Sequence, residues 1–314
     1  MAHHLPATPA HGWLIIDKPV GPGSTQVVGA VKRALRESGA GKVKVGHGGT
    51  LDPLASGVLP VAIGEATKLA GRMLDSDKVY DFTIGFGIET DTLDAEGRAV
   101  ATSEVRPTLA EVAAVLPGFT GAISQYPPAY SAIKIDGERA YDRARAGEEV
   151  AMKARQVVIH SLSVRHPRVR GNDDKNQGDR LSSITLTAHV SKGTYIRSLA
   201  RDIARGLGTV GHVTMLRRTK AGPFTLDQAI SLDKLADAAR ERAIARHMLP
   251  LTAGLDDIPA LPVTPEQAVA LRQGRVLAGD PCKQGLMLAT EGDVPVALVE
   301  ALGPDIRVVR GFNL

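Results

Sequence analysis

The chain has 314 residues, 43% of them hydrophobic and 23% charged, enough for a sizeable core and two domains of ordinary globular composition. No apolar run reaches the roughly 20 residues of a membrane-spanning helix, and no basic-then-apolar leader opens the sequence. A single cysteine, Cys282, excludes an internal disulfide framework and fits a reducing, cytoplasmic setting.

The net charge of +4 and isoelectric point near 9.2 point only weakly to an anionic partner. The distribution says more. Residues 192–220 carry seven Lys or Arg against one acid, Asp202, whereas residues 251–314 carry five Lys or Arg against eight acids. Basic charge is thus focused as a polyanion-binding surface requires, although such a run also suits a solvated face.

In chain order, residues 12–20 (GWLIIDKPV) predict a short strand ending at Lys18-Pro19. Residues 25–35 predict a helix, with Val27, Val28, Val31 and Leu35 on one side. Residues 44–61 (KVGHGGTLDPLASGVLPV) hold four glycines, His47 and one carboxylate, Asp52. Glycines allow tight turns and close approach of a ligand, so this stretch reads as a glycine-shaped loop presenting a nucleophile. Asp52 before Pro53 equally fits a helix cap, and both readings stand at this point. Residues 65–74 predict an amphipathic helix, and residues 78–87 alternate as a strand with Tyr80, Phe82, Ile84 and Phe86 on one face.

The acids of residues 88–97 lack the pattern of a calcium loop and read as a hairpin connection. Residues 109–116 predict a helix. Residues 124–145 hold three of the five tyrosines, flat faces on which RNA bases can stack. Residues 157–164 and 183–190 alternate as paired strands around a polar, mobile loop at 166–180. Residues 194–207 predict a helix with Arg197, Arg201 and Arg205 on one stripe. The GLGTVG run that follows is not a dinucleotide fingerprint, because it follows a helix. Residues 231–248 predict a further helix. Beyond about residue 255, a helix at 266–274 and short β runs predict a small β-rich second domain.

The inventory narrows the chemistry. The nine histidines show no metal-binding spacing, and one cysteine builds no zinc centre. Neither a phosphate loop nor a nucleophile elbow occurs. What remains is carboxylate chemistry beside a basic, tyrosine-bearing surface. A partly buried carboxylate stays ionised next to a guanidinium, and Arg197 is the candidate because it opens the basic helix.

These stretches resemble the TruB family of tRNA pseudouridine synthases, bacterial type. GHGGTLDPLASGVLPVAIGEATKL is similar to the family's catalytic motif. DKPVG, KVYDFTIGFGIETDTLDAEG, PPAYSAIKIDGERAYDRAR and SKGTYIRSLARDIARGLGTVGHVTMLRRTKAGPF resemble four further blocks, in order, across residues 12–232. The resemblance implies an α+β pseudouridine synthase fold, with a mixed, largely antiparallel central sheet flanked by helices. It also implies a flexible N-terminus (1–11), a catalytic domain (12–250) and a small PUA-like RNA-binding domain (255–314). The implied reaction isomerises uridine to pseudouridine at position 55 in the tRNA T-loop, on a flipped-out base, without cofactor or metal.

Carried over by position, Asp52 matches the nucleophile, Tyr80 the tyrosine against the target base, and Arg197 the aspartate's basic partner. Leu216 matches the residue lining the uracil pocket, and His47 the histidine that engages the T-loop. Lys18 matches a structural or RNA-positioning lysine; Tyr195, Arg201, Arg205 and Arg217 join as substrate-binding residues, and Arg218 and Lys220 as further phosphate contacts. The implied partner is the tRNA T-arm; the chain is expected to act as a cytoplasmic monomer, with no membrane and no obligate protein partner. Two departures stand out: Pro22-Gly23-Ser24 with Gln26 replaces the usual Thr-Ser and Asp, and Gly48 replaces a threonine. Two rivals remain, an RNA-binding module with a decayed site and a hydrolase pairing Asp52 with a second carboxylate.

Overall fold

The computed structural model describes residues 11–131, 133–135, 137–145, 148, 152–165, 180–278 and 284–314. The loop expected at 166–180, apart from Arg180, and the flexible terminus, apart from His11, lie outside the described residues. The first half of the chain forms β1 (Gly12–Lys18), α1 (Ser24–Glu37), β2 (Val45–His47), β3 (Ala55–Ile63), α2 (Ala70–Asp75), β4 (Lys78–Phe86), β5 (Ile88–Thr90), β6 (Ala99–Thr102), α3 (Leu109–Val115), β7 (Gly121–Gln125), β8 (Lys134–Ile135), β9 (Glu138–Arg139) and α4 (Ala140–Arg145). The second half forms β10 (Arg155–Val164), β11 (Ser183–Val190), α5 (Ile196–Gly206), β12 (Gly211–Ala221), β13 (Phe224–Thr225), α6 (Leu232–Arg240), β14 (Ala260–Pro262), α7 (Pro265–Arg272), β15 (Leu277–Ala278), β16 (Gly285–Glu291), β17 (Val294–Leu302) and β18 (Asp305–Gly311).

The central sheet runs β1-β3-β12-β4-β11-β10-β7, with β2 paired to β3 and β13 to β12. Every pairing is antiparallel except β3 with β12. One face buries the alternating apolar residues Leu14, Ile16, Phe82, Ile84, Leu186 and Ala188 under α1, α5 and α6. A second cluster behind β1 and β3 centres on Trp13, which is fully buried, donates from Nε1 to Leu251 O at 3.1 Å, and meets Phe224 at a ring separation of 5.2 Å. Leu288 and Leu298 of the five-stranded C-terminal sheet β14-β16-β17-β18-β15, with Phe312 just after β18, join this cluster.

Three predicted elements differ in detail. Residues 44–61 form no extended loop: β2 and β3 flank a short turn at 48–54. The helix expected at 65–74 is a 3₁₀ segment, Gly64–Leu69, ahead of the short α2; the Thr67 hydroxyl draws the Gly64 carbonyl into the tighter turn. The helix expected at 231–248 stops at Arg240, because Arg242 adopts φ 55°, and a 3₁₀ turn follows. No helix among the described residues is long and apolar enough to cross a membrane.

Register sets what the sheet presents. Arg218 lies opposite Gly57 on β3 and opposite Tyr80 on β4, and Tyr80 in turn lies opposite Ala188. The strand after the Asp52 turn is therefore locked beside the strand bearing Tyr80. Gly57 has φ 102°, and a Cβ there would sit 2.1 Å from the Arg218 carbonyl oxygen. Gly57→Ala is expected to cost about 2–4 kcal/mol, through backbone strain and a forced shift of the parallel pair. Urea unfolding of the variant against wild type measures it; an unchanged midpoint would contradict the close approach.

Candidate active site

Asp52 lies in the turn between β2 and β3. No helix follows Pro53; the Ala55 amide donates to Asp52 O at 3.1 Å and the chain enters β3. The cap reading therefore falls, and the Asp52 carboxylate is left 41% exposed and paired with Arg197 Nη2 at 2.9 Å. The turn is held from beneath. Ser24 Oγ donates to Leu51 O at 3.0 Å and accepts from Leu51 N at 2.8 Å. Lys18 Nζ donates to Pro19 O at 2.9 Å and Pro53 O at 3.3 Å. Arg218 donates to Val58 O at 2.8 Å and Thr50 O at 3.1 Å.

The departures from the family pattern have local reasons. A Cβ at Gly48 would meet Met73 Cβ at 2.6 Å, so this position has no room for a threonine. Gln26 Oε1 accepts from the Gly23 amide at 2.7 Å and satisfies a free donor at the start of α1. The glycines of this stretch are not mainly doors for a ligand: Gly48, Gly49 and Gly57 face Met73 or Arg218, and only Gly46 faces open space.

Arg197 occupies the first turn of α5 and is buried. Its guanidinium donates to Thr92 O at 2.8 Å and Tyr130 O at 3.0 Å, and its Nη1 lies 3.3 Å from Asp94 Oδ2. It therefore bridges two carboxylates, Asp52 and Asp94. Asp94 Oδ1 accepts from Thr92 Oγ1 at 2.6 Å and Glu96 N at 3.1 Å. Between Thr92 and Asp94, Leu93 has φ 63°. That left-handed conformation costs on the order of 1–3 kcal/mol in a non-glycine residue and sets both neighbours on one guanidinium. Sequence reasoning missed Asp94, since the polar hairpin of residues 88–97 carries no spacing that distinguishes one acid from another.

A cavity of about 300 Å³ opens beside the pair, lined by Asp52, Tyr80, Arg197, Tyr195, Leu216 and Lys78, among others. A second, of about 410 Å³, lies on the other side and includes Gln26, Glu96, Tyr130 and Tyr141. Asp52 and Arg197 line both. Tyr195 is fixed by its backbone: its amide donates to Gln125 Oε1 at 2.8 Å, and its carbonyl accepts from Gln125 Nε2 at 3.1 Å. Burial pushes its hydroxyl pKa up.

Five predicted residues lie outside the cavity lining. Lys18 is buried behind it. His47 is half-buried on β2; its Nδ1 is buried without a hydrogen-bond partner among the described residues, and burial, then the Arg218 charge, lowers its pKa. Arg201 pairs with Asp202 at 2.8 Å, Arg205 with Glu89 at 2.8 Å and Arg217 with Asp17 at 2.8 Å. Arg218 is a correction: it is fully buried with its guanidinium on backbone carbonyls, so it is not placed to hold a phosphate.

Burial shapes the charges around the site. Lys18 is pushed down to about 8 by desolvation, with Arg218 adding and Asp52 and Glu96 opposing. Lys78 falls to about 8, again chiefly by burial and then by Arg218. Its Nζ donates to Met73 O at 2.9 Å and Leu74 O at 2.7 Å. The Glu96 carboxyl is raised by burial and by the charges of Asp94 and Asp52.

A mixed sheet presenting an aspartate–arginine pair and a tyrosine to one base-sized cavity is the arrangement of a pseudouridine synthase. The comparisons agree. The family model described as TruB family pseudouridylate synthase (N terminal domain) matches residues 32–196, and that of the tRNA pseudouridylate synthase B C-terminal domain matches residues 197–256. The chain is 61% identical to tRNA pseudouridine synthase B of Novosphingobium aromaticivorans, over 96% of this chain and 97% of that one. It is 58% identical to the protein of the same name from Zymomonas mobilis, over 98% of each. Among solved structures, a Cbf5-Nop10-Gar1 complex matches with TM-score 0.70 and 26% identity, over 96% of this chain and 85% of that one. An H/ACA RNP bound to a substrate RNA containing 2'-deoxyuridine matches with TM-score 0.70 at 24% identity, over 97% of this chain and 86% of that one, a likeness of fold.

The chain belongs to the TruB family of pseudouridylate synthases. It is an isomerase with an α+β fold and a small PUA-like C-terminal sheet, as the sequence predicts. The boundary between the two family models is not a structural one, since α5 and β12 lie after residue 196 yet belong to the central fold.

Removing Arg197 alone leaves Asp94 buried without its counter-charge, so Arg197→Met is expected to cost about 3–5 kcal/mol in stability. Adding Asp94→Asn should recover part of that loss, and a double-mutant cycle measures the coupling. Additive effects would show that the two do not interact.

Lys18 and Lys78 lose their protons near pH 8 in the folded state and near 10.5 otherwise. Between those values the unfolded chain binds more protons, so their contribution to stability rises with pH across that window. Lys18→Met and Lys78→Met should each flatten the rise in unfolding free energy from pH 8 to 10.5 relative to wild type. Slopes identical to wild type would refute the depressed values.

Proposed function

We propose that this enzyme isomerises uridine to pseudouridine in tRNA, at position 55 of the T-loop, with Asp52 as the nucleophile. One observation carries the reading: Asp52, Tyr80, Arg197 and Leu216, drawn from four separate segments, line a single cavity. Its volume of about 300 Å³ suits one pyrimidine base. The tRNA substrate is supported by the relatives' shared name, tRNA pseudouridine synthase B.

In the reaction the N1–C1′ bond breaks, the uracil turns, and C1′ bonds to C5. The C5 proton leaves and N1 gains one, so nothing is added or lost overall. Asp52 supplies the nucleophilic oxygen, and Arg197 fixes the carboxylate's direction through a bond 2.9 Å long. Tyr80, which lines the same cavity, is assigned to the base and the C5 proton, and Leu216 to an apolar wall. Extruding a base from a folded loop costs a few kcal/mol; stacking on an aromatic side chain returns roughly 1–3 kcal/mol per base. Arg201, Arg205 and Arg217 contribute positive charge toward the phosphates, giving position and affinity more than sequence choice. Residues 12–250 carry catalysis, and residues 255–314 add RNA contact.

The hydrolase alternative needs a second free carboxylate. Asp94 is buried, with its oxygens engaged by Arg197, Thr92 and Glu96 N, so it does not serve that role, and Glu96 lines only the second cavity, apart from Tyr80 and Leu216.

The test is incubation with an unmodified tRNA transcript and mapping of pseudouridine by carbodiimide-stop sequencing. Wild type should convert the T-loop uridine, and Asp52→Asn should fall to background while retaining the wild-type melting temperature within a few degrees. A T-loop uridine left unchanged by wild type, or an active Asp52→Asn, would sink the proposal.

A further inference from the structure

We infer that Asp77, His160 and His189 form a binding site for a divalent transition-metal ion of the zinc type, outside the catalytic cavity. The three come from distant segments: Asp77 immediately before β4, His160 from β10 and His189 from β11. Their ligating atoms all lie within 4.8 Å of one another. Asp77 Oδ2 is 3.1 Å from His160 Nε2 and 3.7 Å from His189 Nε2. A tetrahedral ion with bonds of roughly 2.0–2.1 Å sets its ligands about 3.4 Å apart, which these separations bracket.

The backbone is bent to make the group. On β10, the register against β11 shifts between Ile159 and Ser161, so His160 is the extra residue of a β-bulge. Bulges re-aim side chains. Here Ile159 stays in the core while His160 stands against His189, ring centroids 4.7 Å apart and planes at 43°. Two imidazoles from separate strands converge on one oxygen of the Asp77 carboxylate. The Asp77 backbone carbonyl meanwhile accepts from Gly222 N at 2.9 Å, which anchors the main chain and leaves the side chain to the histidines.

The donor set selects the ion. Two imidazole nitrogens and one carboxylate oxygen suit zinc, cobalt, nickel or copper, and not the all-oxygen preference of calcium or magnesium. The side chains are between 37% and 48% exposed, so an ion reaches the site from solvent and keeps an open position. A bound ion would clip the starts of β4 and the end of β11 to β10. Lys78, Tyr80 and Val190, neighbours of these ligands along the same strands, line the catalytic cavity on the opposite face. The scattered histidines gave no spacing signal, because sheet pairing and one bulge bring them together.

The full-length chain, stripped with chelator and desalted, is titrated with cobalt(II) and then with zinc(II). The expected result is one cobalt bound with visible d–d absorption, displaced by zinc, and a melting temperature that rises with zinc. His160→Ala and His189→Ala should each weaken binding roughly 100-fold or more and abolish the thermal shift, a loss at least as large as second-sphere changes cause. His189→Gln, which keeps a hydrogen-bonding side chain, serves if an alanine variant misfolds. In wild type, zinc should also protect both histidines from diethylpyrocarbonate. No stoichiometric binding by wild type overturns the site. So does binding that persists in a folded His160→Ala/His189→Ala protein, which would assign the ion to another part of the chain.

Discussion

The turn that carries Asp52 depends on a buried guanidinium. Arg218 is fully buried, and its donors reach Val58 O, Thr50 O and, at 3.4 Å, Gly49 O. Among the described residues no carboxylate pairs with it. A buried cation is costly unless its donors are satisfied, and here satisfaction comes from the backbone that carries Asp52. The turn and the charge therefore stabilise each other: neither is tolerable in this place without the other. The parallel pairing of β3 and β12, with Gly57 against the Arg218 backbone, brings the two strands close enough for this to happen.

That same charge spreads through the site. It lowers the pKa of Lys18, His47 and Lys78, adding in each case to desolvation. The two arginines thus divide the work. Arg218 fixes the main chain and faces carbonyls; Arg197 faces carboxylates and fixes the side-chain geometry of Asp52. Asp94 completes the second arrangement. It holds the far side of the Arg197 guanidinium, so the near side meets Asp52 in one orientation, and the left-handed turn at Leu93 places it there.

The strands were legible because alternation marks a half-buried sheet, and Asp52, Tyr80, Arg197 and Leu216 were legible through motif blocks that the cavity then unites. Arg217 and Arg218 were not separable. Consecutive strand residues point to opposite faces, so one forms an ion pair with Asp17 while the other is buried, and the sequence shows two adjacent basic residues. Asp94 was hidden for another reason: its partner lies about a hundred residues away, and only the hairpin's backbone conformation singles it out from Asp91. His160 was hidden by a bulge, a one-residue irregularity that no alternating pattern announces.

The departures from the family motif show how a local packing change leaves the site intact. With Met73 filling the space beside residue 48, a side chain there would force the β2–β3 turn outward, away from its hydrogen bond from Gly48 N to Pro60 O at 2.8 Å. Glycine keeps that bond and hence the turn. At the start of α1, Gln26 replaces an acid but still accepts from the Gly23 amide, and the helix start holds Ser24 where it clamps Leu51 on both sides. What these positions preserve is the path of the backbone into Asp52. A substitution that keeps the path is compatible with an active enzyme even where the motif letter is lost, and one that keeps the letter but moves the path is not.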